Sequence, residues 1–177
     1  MALAIDGGSP VRTEAWPAWP VWDSNEERAL LEVLHSGQWW SHGGNKVPEF
    51  EAAFATFQGA KHGICVTNGT AALEVALRAL GIGCGDEVIV PPYTFIATAS
   101  SVLACSATPV FVDIEPDSLN LDAPLIEAAI TSRTKAIIPV HIAGGPADLD
   151  GILEVAGRYG IPVIEDAAEA VAAPRRR

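Results

Sequence analysis

Residues 85–98 read Gly-Asp-Glu-Val-Ile-Val-Pro-Pro-Tyr-Thr-Phe-Ile-Ala-Thr. A charged turn leads into branched apolar residues, and two prolines stop the run before a second apolar stretch begins. Val88, Ile89 and Val90 in succession do not alternate between a dry and a wet face, so they read as a strand buried on both sides. The residues after it predict a helix over 94–106. The same unit recurs in both directions. Apolar runs at 62–66, 86–91, 108–113, 135–140 and 161–165 are bounded by Gly, Pro or charged residues. Helical stretches at 69–80, 94–106, 122–131 and 147–159 fall between them. This alternation predicts an α/β fold, a mainly parallel sheet covered by helices on both faces.

Before residue 62 the pattern is different. Residues 1–23 hold Trp16, Trp19 and Trp22 among Pro10, Pro17 and Pro20. Proline at that density excludes a helix and favours an extended arm. Its tryptophans need a surface to cover, on the same domain or on a neighbour. Ser24 with Glu27 reads as a capping box for a helix whose stripe is Leu30, Leu31 and Leu34 and whose stop is Gly37. A loop runs from Gln38 to Lys46. Pro48 then opens a second helix with Phe50, Phe54 and Phe57 on one face. The expected organisation is an arm with two helices over 1–60, an α/β domain over 61–170 and an Arg-rich tail over 171–177.

A chain of 177 residues that is 49% hydrophobic can bury a core of its own. Eleven basic against 22 acidic residues give a net charge of −11, which repels nucleic acid and anionic membranes as partners. No stretch approaches the ~20 apolar residues of a membrane span, and Asp6 with no apolar run beside it argues against a signal peptide. Cys65, Cys84 and Cys105 have neither metal-type nor redox spacing, so no metal site is expected. Cys65 and Cys105, in apolar segments, read as small core residues. A reducing cytoplasm suits these thiols.

Several chemistry-bearing residues fall where strands end. Gly69-Thr70 sits at a strand-to-helix turn, where free N–H groups and the helix dipole attract a phosphate; taken alone, a plain helix cap explains it as well. Phe95 lies at the carboxyl edge of its strand, where open α/β sheets bind ligands, and a buried aromatic at a helix start is the alternative. Asp166 ends the last strand at the same edge, either as a site acid or as the cap of the next turn. His141, before Ile142-Ala143-Gly144-Gly145, is either a site group or a loop histidine held by hydrogen bonds.

Taken in order, Val66-Thr67-Asn68-Gly69-Thr70-Ala71-Ala72-Leu73-Glu74, the 85–98 stretch and Ile161-Pro-Val-Ile-Glu-Asp-Ala-Ala-Glu-Ala170 resemble the DegT/DnrJ/EryC1/StrS family of pyridoxal-phosphate sugar and cyclitol aminotransferases. The resemblance runs from Gly7 to Ala170. It implies the N-terminal part of the large domain of an aspartate-aminotransferase-like, three-layer α/β/α fold, ending after the fifth strand. Its cofactor would be pyridoxal 5′-phosphate. Gly69, Thr70 and Ala71 would bind the phosphate, Phe95 would stack on the ring, and Asp166 would keep the pyridinium nitrogen protonated so that the ring acts as an electron sink. Glu169 falls where the family usually has Gln or His near the cofactor's phenolic oxygen, and a glutamate there sets anion beside anion unless protonated. Trp39, Trp40 and Ser41 match a loop that borders the substrate, often in the neighbouring subunit's site.

The resemblance also implies a reaction: amino transfer from glutamate or glutamine to a nucleotide-linked keto-sugar or a keto-cyclitol, by a homodimer. The opening Gly7-Gly8-Ser9-Pro10-Val11-Arg12 is similar to the subgroup that makes cyclitol and aminobenzoate precursors of secondary metabolites. Such transfer needs a Schiff-base lysine, which the resemblance places beyond Arg177. Lys61 and Lys135 precede strands and belong at the sheet's opposite edge, and Lys46 has no matched role. The expectation is a truncated enzyme, inactive alone, whose strand 62–66 lacks a ladder partner and whose strand 161–165 is an uncovered edge. The alternative is a non-catalytic fragment that binds a phosphate ligand or associates with other subunits. No Gly-x-Gly-x-x-Gly or Walker pattern supports a separate nucleotide-binding domain.

Overall fold

Apolar runs too short to be helices must be paired, and the pairing decides which runs become strands. The computed structural model describes residues 2–171 and divides into two units, Met1–Gly63 and Ile64–Arg177. The tail expected over 171–177 lies, apart from Val171, outside the described residues.

In the first unit, α1 spans Ser24–Ser36 and α2 spans Lys46–Gln58. The cap of α1 is Asp23, one residue before the expected Ser24. Its carboxylate accepts from Asn25 N at 2.7 Å, and Glu26 reaches back to accept from Asp23 N at 2.7 Å. Two carboxylates near a helix N-terminus also complement the dipole, which a Ser24 cap could not. α2 starts two residues before Pro48, so the proline sits in the first turn, where its missing N–H has no intrahelical role. Its phenylalanines line up as expected, with ring centroids 5.4 Å apart for Phe50–Phe54 and 6.4 Å for Phe54–Phe57. Trp16, Trp19 and Trp22 are all exposed, and Trp16 carries the Arg12 guanidinium 4.3 Å from its ring centroid.

The second unit is three layers. Its sheet contains β1 (Glu87–Val90), β2 (Thr108–Phe111) and β3 (Thr134–Ile137), parallel and in the order β2-β1-β3. Val88, Val90, Ala136 and Ile138 face one way and pack with Leu73 and Leu77 of α3 (Gly69–Ala79) and Val102 of α4 (Ala97–Ala104). Ile89 and Ile137 face the other way, toward Ile126 of α5 (Ala123–Ala129) and Ile152 of α6 (Leu149–Tyr159). Each fully buried valine, leucine or isoleucine among these contributes about 1.5–3 kcal/mol. Glu87, buried at the start of β1, accepts from Thr131 Oγ1 and pairs with Arg133, which satisfies a carboxylate that would otherwise be costly to bury.

Two expected strands are corrected. The stretch 62–66 is not a strand, and it pairs with none among the described residues; Ile64 is 77% exposed and Cys65 is exposed rather than a core residue. Cys105 is buried as expected. The stretch 161–165 reduces to two parallel bridges alongside and beyond β3, Ile137↔Val163 and Val140↔Asp166. Pro139 and Pro162 each remove a donor, so a regular ladder cannot run between them. Among the described residues no helix is long and apolar enough to cross a membrane, and no cluster of His, Cys, Asp or Glu could hold a metal.

This pairing predicts the order of hydrogen exchange. The amides of Ile137 and Ile138 should be among the slowest, and those of Ile64 and Val66, which join no ladder among the described residues, should exchange faster. Protection of Ile64 and Val66 equal to that of β3 would contradict their place outside the sheet.

Candidate functional site

A parallel sheet sends every strand's carboxyl end to one edge, and the helices that follow start there. α3 and α4 pack side by side. Arg78 Nη2 donates to Ala104 O at 2.9 Å and Cys105 Sγ lies 3.8 Å from Glu74 O, which ties their C-terminal ends together. Their N-termini therefore share the opposite end, at the carboxyl edge of the sheet.

Asn68 caps α3: its Oδ1 accepts from Ala71 N at 2.9 Å and its carbonyl from Ala72 N at 3.1 Å. Both of these amides are thereby engaged, Ala71 among them, so the helix offers the amides of Gly69 and Thr70 rather than the three expected positions. A Cβ on Gly69 would meet nothing within 4 Å, and its φ is not in the left-handed region. Neither packing nor backbone geometry asks for glycine here.

Phe95 is 77% exposed, which rules out the buried-aromatic alternative. Beyond it, Thr98 in the first turn of α4 is fully buried, and its Oγ1 donates to Asp166 Oδ2 at 2.8 Å. Thr94 Oγ1 lies 2.8 Å from the same hydroxyl. Asp166 is fixed through its backbone as well: its N–H donates to Pro139 O at 2.9 Å and its carbonyl accepts from His141 N at 3.1 Å. Its Oδ1 accepts from Ala168 N at 3.3 Å, so the turn-capping role is also present.

His141 is buried and answers to the loop reading. Its Nδ1 accepts from Ala147 N at 3.0 Å, which assigns the ring proton to Nε2, 3.2 Å from Glu165 Oε2. Glu169 has a partner within the chain: its carboxylate accepts from Ala143 N at 2.6 Å. Ala143 at φ 51 and Gly144 at φ 79 turn the chain left-handed, and the N–H at that turn recruits a charged acceptor. Asn120, which the sequence reading passed over, holds the same loop: Nδ2 donates to Gly145 O and Pro146 O at 3.2 and 3.3 Å, and Oδ1 accepts from Ile142 N at 3.1 Å. As an asparagine between two leucines near a turn, it carries no sequence signal that separates it from an ordinary turn residue.

In the first unit, Trp39 and Trp40, with Lys46 and Glu32, line a cavity of about 280 Å³. Ser41 Oγ lies 3.4 Å from His42 Nδ1. Lys46 Nζ sits 3.0 Å from Glu32 Oε2, and that hydrogen bond, with the charge behind it, raises the lysine above its ordinary pKa. A lysine held as ammonium is a poor amine nucleophile. Lys135 donates to Ser132 O near the start of β3, at the edge away from Asp166.

A sequence profile of the DegT/DnrJ/EryC1/StrS aminotransferase family matches residues 21–176. GDP-perosamine synthase of Caulobacter vibrioides is 55% identical over 157 residues, 89% of this chain and 42% of that protein. L-glutamine:2-deoxy-scyllo-inosose aminotransferase of Streptomyces paromomycinus is 44% identical over 180 residues, covering 99% and 42%. The crystal structure of 3-amino-5-hydroxybenzoic acid synthase superposes with a TM-score of 0.87 at 45% identity, over 89% of this chain and 41% of that one. NtdA from Bacillus subtilis, with bound cofactor PMP, superposes at 0.78 with 40% identity, over 81% and 33%. The chain thus spans well under half the length of the relatives it matches.

Asn120→Ala should leave buried backbone groups of the 142–146 loop unpaired at about 1–3 kcal/mol each. A urea midpoint equal to the parent's would contradict the role given to Asn120.

Proposed function

The chain belongs to the DegT/DnrJ/EryC1/StrS aminotransferase family, and from that premise we propose that it carries the ring- and phosphate-binding part of a pyridoxal-phosphate aminotransferase. The observation that supports this best is Asp166, anchored through backbone and side chain at the carboxyl edge of the sheet. The open N-terminus of α3 and the exposed Phe95 fall at that same edge.

The donor set fits the cofactor. Gly69 and Thr70 present amides and a hydroxyl to a phosphate, with the dipole of an 11-residue helix behind them. Phe95 offers an aromatic face to a flat ring. Asp166 holds a proton on the ring nitrogen. When bound, the cofactor supplies an electron sink and a carrier for the amino group. Glu169, through its bond from Ala143 N, orders the loop after His141.

The proposed substrates are a keto-sugar or keto-cyclitol as acceptor and glutamate or glutamine as donor; the relatives named for GDP-perosamine and for L-glutamine with an inosose support that class. Two copies would assemble. The lysine amine such transfer requires would come from polypeptide outside this sequence, since Lys135 lies at the wrong edge and Lys46 is ion-paired. By itself this chain would bind cofactor and not turn over.

The amine form of the cofactor, pyridoxamine 5′-phosphate, needs no lysine and tests the site directly. Thr70→Ala should lose about 1 kcal/mol of binding, and Asp166→Ala should weaken it as well. Equal affinity of both variants and the parent would show that these residues form no pocket. Treatment with pyridoxal phosphate and borohydride should leave Lys46, Lys61 and Lys135 without a stoichiometric pyridoxyl label. One such label, located by mass spectrometry, would overturn the assignment of the amine to residues elsewhere.

A further inference from the structure

Thr98 is wholly buried, and its hydroxyl lies within reach of two partners. A carboxylate only accepts, so the single hydroxyl proton of Thr98 goes to Asp166 Oδ2. Thr98 Oγ1 must then receive the proton of Thr94, which gives the chain Thr94→Thr98→Asp166 one direction, with both steps 2.8 Å. A threonine inside a helix ordinarily turns its hydroxyl onto the carbonyl four residues back. Here the bond crosses 68 residues of sequence to a different layer of the fold. Packing alone would accept valine in this dry position. The hydroxyl is there for the carboxylate.

We propose that Thr98 is a positioning residue for Asp166, fixing the carboxylate through Oδ2 so that its orientation toward the cofactor's ring nitrogen is set before the cofactor arrives. The inference rests on the cofactor reading above. β-branching restricts Thr98 to two favoured rotamers, helix α4 fixes its backbone, and a hydroxyl-to-carboxylate bond is among the stronger neutral-to-charged contacts. Thr94 polarises the donor from behind. The backbone bonds of Asp166 place its Cα, and Thr98 places its oxygens.

The test uses this chain with pyridoxamine 5′-phosphate labelled with ¹⁵N in the ring, reading affinity from cofactor fluorescence and ring-nitrogen protonation from the ¹⁵N shift across pH. Thr98→Val should weaken binding about tenfold and move the ring nitrogen's titration toward that of the free cofactor. Thr98→Ser, which keeps the donor, should restore both. Thr70→Ala should weaken binding without moving the ¹⁵N profile, which separates the phosphate end from the ring end. A Thr98→Val chain with the parent's profile would overturn the positioning role and leave the cofactor reading standing. Equal loss in the valine and serine variants would reduce Thr98 to packing. A parent that does not bind at all would overturn the cofactor reading and this inference together.

Discussion

The parallel pairing of Val140 with Asp166, just beyond β3, is the contact on which the site depends. It brings a segment remote in sequence to the sheet's carboxyl edge through Asp166 N to Pro139 O and His141 N to Asp166 O. Without it the carboxylate would have no fixed backbone, and Thr98 would hold a mobile group. The pairing survives two prolines that thin the ladder because those two bonds need neither proline's missing N–H. Buried side chains beneath, Ile137 and Ile138 above all, keep β3 itself in place.

Much of this was legible in the chain. Unbroken branched residues at 88–90 marked a strand buried on both faces, and Ile89 does face the layer opposite to Val88 and Val90. Helices α3 to α6 fall inside their expected ranges. The stretch 62–66 was expected to lack a ladder partner, and among the described residues it joins no sheet and so is no strand, though its apolar pattern reads as one. The cap of α1 moved by one residue because Asp23 and Glu26 offer charged acceptors where Ser24 and Glu27 offer a weaker box.

The site was half legible. Asp166, Phe95 and Gly69-Thr70 could be located because strand ends in an α/β fold are where ligands bind. Their supports could not. Thr98 looks like any threonine in a helix and Asn120 like any turn asparagine until the fold brings their partners from 68 and more than 20 residues away. The partner of Glu169 was hidden for the same reason, since the left-handed turn at Ala143 whose N–H meets its carboxylate exists only once the loop is folded.

In the proposed site one edge of the sheet would meet a flat, anionic ligand, with a helix dipole for its phosphate, a ring face and a fixed carboxylate. The direct test is to map amide shifts of the ¹⁵N-labelled chain on titration with pyridoxamine 5′-phosphate. The account predicts that Gly69, Thr70, Phe95 and Asp166 move together with one saturation curve, while Lys135 at the other edge stays still. Shifts scattered over the surface, or confined to the cavity by Trp39 and Lys46, would contradict it.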